Sequence, residues 1–140
     1  MQITHLAAEW SLLQNQADSY EKFALLIKLL GTTLLAVALL LETASVLMLV
    51  ILAILWLQDA IWKTFQARIE GRLLTLEIAI ASCESTGQSP DRPYQLNSRF
   101  LQTRLGGTAL IGEYLKQAVR PTVAFPHALL ILTMILRLVA

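Results

Sequence analysis

The chain of 140 residues is 56% apolar and 15% charged, with a formal net charge of +1, where soluble domains average roughly 45–50% and about 25%. That balance excludes intrinsic disorder, a nucleic-acid-binding protein and an ordinary soluble enzyme; the single cysteine, Cys83, excludes an intrachain disulfide framework and a multi-cysteine zinc site. The length suits one domain, and the composition points to an all-α integral membrane protein.

In chain order, the first element is an amphipathic helix over residues 1–22. Its apolar stripe, Ile3, Leu6, Trp10, Leu13, Ala17 and Tyr20, recurs at spacings of three and four. The opposite face is rich in Gln, Asn, Asp and Glu, whereas an interfacial membrane anchor usually has a basic face. Packing against protein is therefore expected over lying on lipid. The N-terminus lacks a basic n-region, so a cleaved signal peptide is not expected.

Three stretches are free of charge: 13 residues at 29–41, 16 at 43–58 and 16 at 121–136. Each falls short of the ~20 residues of a membrane-spanning helix, and each becomes long enough if a charge near its end reaches the interface. Lys28 can do so along its aliphatic stem, giving spans at 23–41, 44–62 and 122–139. Asp59 then enters the headgroup region, and Arg137 lies near the outer end of the third span. A very apolar soluble bundle is the alternative. Against it stands VLMLVILAILWL at 46–57, apolar all round a helix.

The segment ETAS at 42–45 is the polar break between the first two spans. It reads as a tight turn, with Thr43 or Ser45 capping the second helix. Residues 23–62 are thus expected to form a transmembrane hairpin. Lys22 precedes it, and Lys63, Arg68, Arg72, Arg92, Arg99, Arg104, Lys116 and Arg120 follow it, with only Arg137 on the other side. The positive-inside rule places the N-terminus and residues 63–120 in the cytoplasm and the C-terminus outside. Aromatic anchors fall on the same side: Tyr20 and Phe23 enter the first span, Trp56, Trp62 and Phe65 leave the second, and Tyr114 and Phe125 approach the third.

The second span has no stop signal. Its stripe continues as Trp62, Phe65, Ile69, Leu73, Leu76 and Ile80, with Lys63, Glu70, Glu77 and Glu84 at one heptad position on another face. One helix of about 40 residues, projecting roughly 30 Å into the cytoplasm, is expected. The stripe serves either an oligomer or partner, or the chain's own packing. Gly71 weakens this helix but permits a close helix crossing. CESTGQSPDRP at 83–93 ends it, within a loop at 83–95. A return helix over 96–119 comes next, interrupted or bent at Gly106 and Gly107. Pro121 suits the start of a third transmembrane helix over 121–140, which Pro126 kinks or shortens.

No catalytic, cofactor or metal site is expected. His5 and His127 are far apart in sequence, and no phosphate-binding or nucleophile motif occurs. Cys83 reads as a bystander thiol. Four charges sit at membrane ends. Lys28 and Asp59 can pair across the hairpin, or Asp59 can pair with Lys63. Glu42 and Arg137 can pair within a chain or between chains, or each can simply reach headgroups. Ionisable residues at such positions are functional candidates.

The LWLQD junction at 55–59, QARIEGR at 66–72 and VRPTVAFPHA at 119–128, with a short amphipathic helix leading into a two-span hairpin, carry a resemblance. The chain resembles the small prokaryotic membrane proteins grouped as SLATT-type or multi-span effectors of antiphage defence loci. The resemblance implies oligomeric inner-membrane proteins that disturb membrane integrity once activated. With no separate ligand-sensing domain expected, a soluble partner at the cytoplasmic face is the expected trigger, and membrane lipids and further copies of the chain are the other expected partners. Two readings compete: a channel-like membrane effector, and a non-catalytic scaffold or anchoring subunit of a larger complex. An enzymatic reading would need a polar cluster within the bilayer, where the spans offer little beyond hydroxyls such as Thr32 and Thr133 that can back-bond to their own helices.

Overall fold

A computed structural model describes residues 2–103 and 106–139, and these fold into five helices with no strand among them: α1 Gln2–Leu40, α2 Val46–Thr86, α3 Leu96–Thr103, α4 Gly107–Ala118 and α5 Pro121–Val139. Three of them, α1, α2 and α5, are long and apolar enough to cross a membrane. At 1.5 Å per residue, α1 and α2 are each about 60 Å long, twice the thickness of a bilayer core.

Local chemistry sets the ends of the long helices. α1 closes in a Schellman motif: Thr43 N–H donates to the Ala38 carbonyl at 2.9 Å and Glu42 N–H to that of Leu39 at 3.4 Å. Glu42 occupies the left-handed position at φ 54, where glycine is the usual residue. Ser45 then caps α2, its hydroxyl accepting from Met48 N–H at 3.3 Å. Gly87, at φ 72, ends α2 by donating its N–H to the Cys83 carbonyl.

The register of α1 against α2 is set by four meetings. Trp10 Nε1 donates to Glu77 at 3.1 Å, the Tyr20 and Trp62 rings lie 5.1 Å apart, Lys28 reaches Asp59, and Gly31 lies against Leu52 and Leu55. Numbers rise on one helix as they fall on the other, so the pair is antiparallel. Two apolar cores lie along it. Leu6, Leu13 and Ala17 of α1 meet Ile69, Leu73, Leu76 and Ala79 of α2. Nearer the turn, Leu35 and Ala38 meet Leu52, with Leu130 and Met134 of α5 completing the layer. α5 docks through Val123, His127, Leu130 and Met134, spaced four, three and four along one face.

Around the second core the outer faces are apolar and exposed. Leu25, Leu26, Leu29, Ile54, Leu57 and Leu132 are each more than half exposed. Such a belt far exceeds the patches that soluble monomers tolerate.

Several expectations change or narrow. Residues 2–22 and the first span are one unbroken helix, because no glycine or proline separates them; Met1 lies outside the described residues. The 96–119 stretch is interrupted at its glycines, as two helices with Gly106 in extended conformation as N-cap of α4, so of interruption and bending it is the interruption that occurs. Arg104, Leu105 and Ala140, which belong to the expected return helix, basic count and third span, lie outside the described residues. α5 starts at Pro121, so Pro126 sits inside the helix rather than at its beginning. The close crossing lies at Gly31, where a Cβ would come 3.2 Å from Leu130 Cδ1, while a Cβ on Gly71 would meet nothing within 4 Å. Of the two uses open to the Trp62–Ile80 stripe, the chain's own packing takes up most of it. Ile69, Leu73 and Leu76 are buried against α1 and Ile80 packs beside them; only Phe65 in that row is exposed.

Candidate functional site

Between the two cores the packing turns polar. Lys28 on α1, Asp59 on α2 and His127 on α5 converge on a single atom. Asp59 Oδ2 accepts from Lys28 Nζ at 2.9 Å and lies 3.1 Å from His127 Nε2. Asp59 and His127 are buried and the Lys28 side chain is 21% exposed. An ionised carboxylate only accepts hydrogen bonds, so the imidazole Nε2 is the donor and carries the proton. Two buried atoms are left without partners, Asp59 Oδ1 and His127 Nδ1. The Trp56 ring stacks on the imidazole, 6.4 Å between centroids and tilted by 10°. Its indole N–H donates to the Ala118 carbonyl at 3.0 Å, tying the end of α4 to the same layer.

Asp59 lies 13 residues after Val46, so the cluster sits about 20 Å along α2 from the turn end. On α2, Asp59 follows the last of the exposed apolar run Val46, Leu47, Val50, Ile54 and Leu57 and precedes Trp62 by three residues. The expected Lys28–Asp59 pairing is the one formed. Lys63 turns instead to Glu21 at 2.7 Å and to Gln66 at 2.8 Å. Hydrogen bonds from Lys63 and then Gln66 hold the Glu21 carboxyl below its ordinary value. At the turn end, Arg137 comes within 3.8 Å of Glu42 in the same chain, both well exposed.

Of the aromatic anchors, Tyr20, Phe23 and Trp62 form one group, with Phe23 and Trp62 5.7 Å apart. Phe125 is 71% exposed. Trp56 is different: its ring and its N–H are both engaged by protein.

A second charged cluster lies at the far end of the helix pair. Arg72 Nε and Nη2 form a bidentate pair with Glu9 at 2.9 and 3.1 Å. Arg72 also donates to Asp91 and to the Arg92 carbonyl, and all three charged side chains are buried. Burial works to lower the Arg72 pKa, but the hydrogen bonds to Glu9 and Asp91 outweigh it and hold it above its ordinary value. Glu9 further accepts from Tyr94 N–H, and Asp91 accepts from Arg99 at 2.6 Å. This network pins the 87–95 loop to both long helices. Beside it, Arg68 pairs with Glu113 at 3.1 Å and lies 4.6 Å over the Phe100 ring, fastening α3 and α4 to α2. Two cavities of 210 and 230 Å³ lie between α2 and α3, with Arg68, Leu96 and Phe100 on both walls.

Sequence reasoning missed His127, Glu9 and Asp91 as site residues. His127 was recognisable as the one histidine within an apolar span; Glu9 breaks no apolar stripe and Asp91 sits in a polar loop, so neither gave a signal. Among the described residues no group of three or more His, Cys, Asp and Glu side chains could hold a metal ion. No family model, curated protein or solved structure matches the chain.

Proposed function

We propose that the chain is a non-enzymatic, channel-like effector of a bacterial inner membrane, assembled from several copies and triggered by a partner at its cytoplasmic helices. α1 and α2 form a transmembrane hairpin with a long cytoplasmic extension, and α5 is the third span. The observation behind this reading is the Lys28–Asp59–His127 cluster, buried within three helices whose outer faces are bare leucine, isoleucine and valine. Ionisable groups inside a membrane are costly, and where they occur they mark ion and proton pathways. The helices of one copy touch closely, as at Gly31 and Leu130, which leaves no room for a hydrated ion. Passage therefore runs between copies or needs the bundle to loosen. The role in antiphage defence rests on the sequence resemblance alone.

The test is ion flux from liposomes containing the purified protein, together with membrane potential in expressing cells and the copy number of the detergent-solubilised particle. Flux, depolarisation and a closed oligomer are expected. A particle that binds one soluble partner one-to-one, never self-associates and never conducts would overturn this reading in favour of a scaffold. That second reading draws support from the exposed apolar row of Ile111 and Leu115 on α4 and Val119 at its C-cap.

A further inference from the structure

The buried imidazole has a free base. We infer that His127 Nδ1 is a proton-binding site inside the bundle, and that a proton taken up there displaces Lys28 from Asp59. The inference deepens the proposed function and rests on α1, α2 and α5 lying in a membrane.

With Nε2–H committed to Asp59, the Nδ1 lone pair is the one basic position of the ring, and it has no partner. Imidazole is the side chain that changes charge near neutral pH. Uptake is a simple addition: an O–H bond of hydronium breaks, an N–H bond forms from the Nδ1 lone pair, and a water molecule leaves.

The surrounding charges determine how the cluster responds. Lys28 from α1 and Asp59 from α2 face the ring, and with a neutral imidazole they cancel. α4 contributes only the Ala118 carbonyl, through Trp56. Protonation leaves a net positive charge in a desolvated layer, with two cations on the same carboxylate oxygen. An uncompensated buried charge is strongly unfavourable. One of the cations must move, and they differ in freedom. His127 is 1% exposed and held under Trp56 on a helix docked by Leu130 and Met134. Lys28 is 21% exposed, on a flexible stem that can carry its ammonium to the interface. Lys28 therefore leaves, and the α1–α2 ion pair gives way to an α5–α2 ion pair. The empty Asp59 Oδ1 lets the carboxylate meet its remaining cation through either oxygen.

Trp56 reports the event, because an imidazolium stacked on an indole quenches its fluorescence more than an imidazole does. The protein has three tryptophans; Trp10→Phe with Trp62→Phe leaves Trp56 alone. In phosphatidylethanolamine–phosphatidylglycerol vesicles, its emission should fall in a one-proton transition as the pH is lowered. His127→Gln, which keeps a donor to Asp59, should abolish the transition. Asp59→Asn should move it to lower pH. Lys28→Met, which removes the competing cation, should move it to higher pH by about tenfold or more in proton concentration. Circular dichroism checks that each variant folds. Should one not fold, ¹⁵N-histidine labelling with His5→Gln reads the His127 ring directly in the otherwise native bundle. An imidazole that stays neutral throughout, or a transition that survives His127→Gln, overturns the proton site. A midpoint unmoved by Lys28→Met overturns the displacement. Neither readout needs ion flux, so a silent liposome assay with an intact transition would remove the channel reading and leave this one standing.

Discussion

Arg72 holds together parts of the chain that sequence places far apart: Glu9 in α1, its own helix α2, and Asp91 with the Arg92 carbonyl in the loop. The guanidinium and both carboxylates are buried, at 3%, 5% and 7% side-chain exposure, so deleting one partner strands the others. Arg72→Met should cost about 3–5 kcal/mol, the range for breaking a buried ion pair. Arg72→Lys should also lose stability, because a point charge cannot reproduce the planar fork that serves three acceptors. Replacing the set together, as Glu9→Gln, Arg72→Met and Asp91→Asn, should recover much of the loss. Thermal unfolding in detergent and protease cutting of the 87–95 loop measure both. Glu21 makes a weaker prediction of definite sign. Its carboxyl is held below its ordinary value of 4.5 by Lys63 and Gln66, so its contribution is complete above that pH and fades as pH falls through the lower folded value. Because the Glu21 side chain is 61% exposed, solvent screens the pair and the effect is small. Unfolding of Glu21→Gln should show a flatter acid limb than wild type and equal sensitivity at alkaline pH.

At the scale of elements, α5 stays on the α1–α2 pair through a close fit at Gly31. A Cβ there would stand 3.2 Å from Leu130 Cδ1, 3.6 Å from Leu55 and 3.8 Å from Leu52. The nearest atom is the tip of a flexible side chain. Gly31→Ala should therefore fall within about 1 kcal/mol of wild type, helix propensity offsetting the squeeze. Gly31→Leu cannot be absorbed by one rotamer, and should separate α5 from the pair, read as faster cutting or cross-linking loss between cysteines placed on α1 and α5. The same elements show what a sequence reveals. The three apolar stretches and the Trp62–Ile80 stripe were legible because periodicity reports which face of a helix avoids water. Periodicity is silent about what covers that face. Hence a stripe that suited a second copy is filled by Leu6, Leu13 and Ala17 of the same chain, and the glycine at the crossing proved to be Gly31, not Gly71. Lys28 and Asp59 stood out because a charge in an apolar run is conspicuous. Their third partner did not, since His127 is uncharged in composition and 68 residues from Asp59.

Across the whole molecule, charge and aromatic residues define one direction. Nine of the eleven basic residues precede residue 23 or lie between 63 and 120, leaving Lys28 inside the belt and Arg137 at the turn end. Many of those nine are ion-paired, among them Lys63, Arg68, Arg72 and Arg99. Pairing does not cancel their effect on orientation, because the rule counts Lys and Arg near spans and Asp and Glu contribute little. The Tyr20–Phe23–Trp62 group lies at that same end of the belt, and the network that closes the α2–α3 loop lies farther along in the same direction, away from the turn. A reporter fused after residue 88 should therefore read cytoplasmic, and one fused after residue 140 external. Arg137 then offers a sharper test. Among the described residues it is the one basic side chain at the turn end, beside Glu42, and a single basic residue opposes the orientation only weakly. Adding two lysines after residue 140 should hold back the third span and turn the C-terminal reporter cytoplasmic, while the reporter at 88 keeps its reading. If both reporters invert together, the hairpin and α5 insert as one unit whose orientation the central basic residues do not set. If the unmodified C-terminal reporter already reads cytoplasmic, α5 does not cross, and the layer joining Lys28, Asp59 and His127 lies at a membrane surface rather than within it.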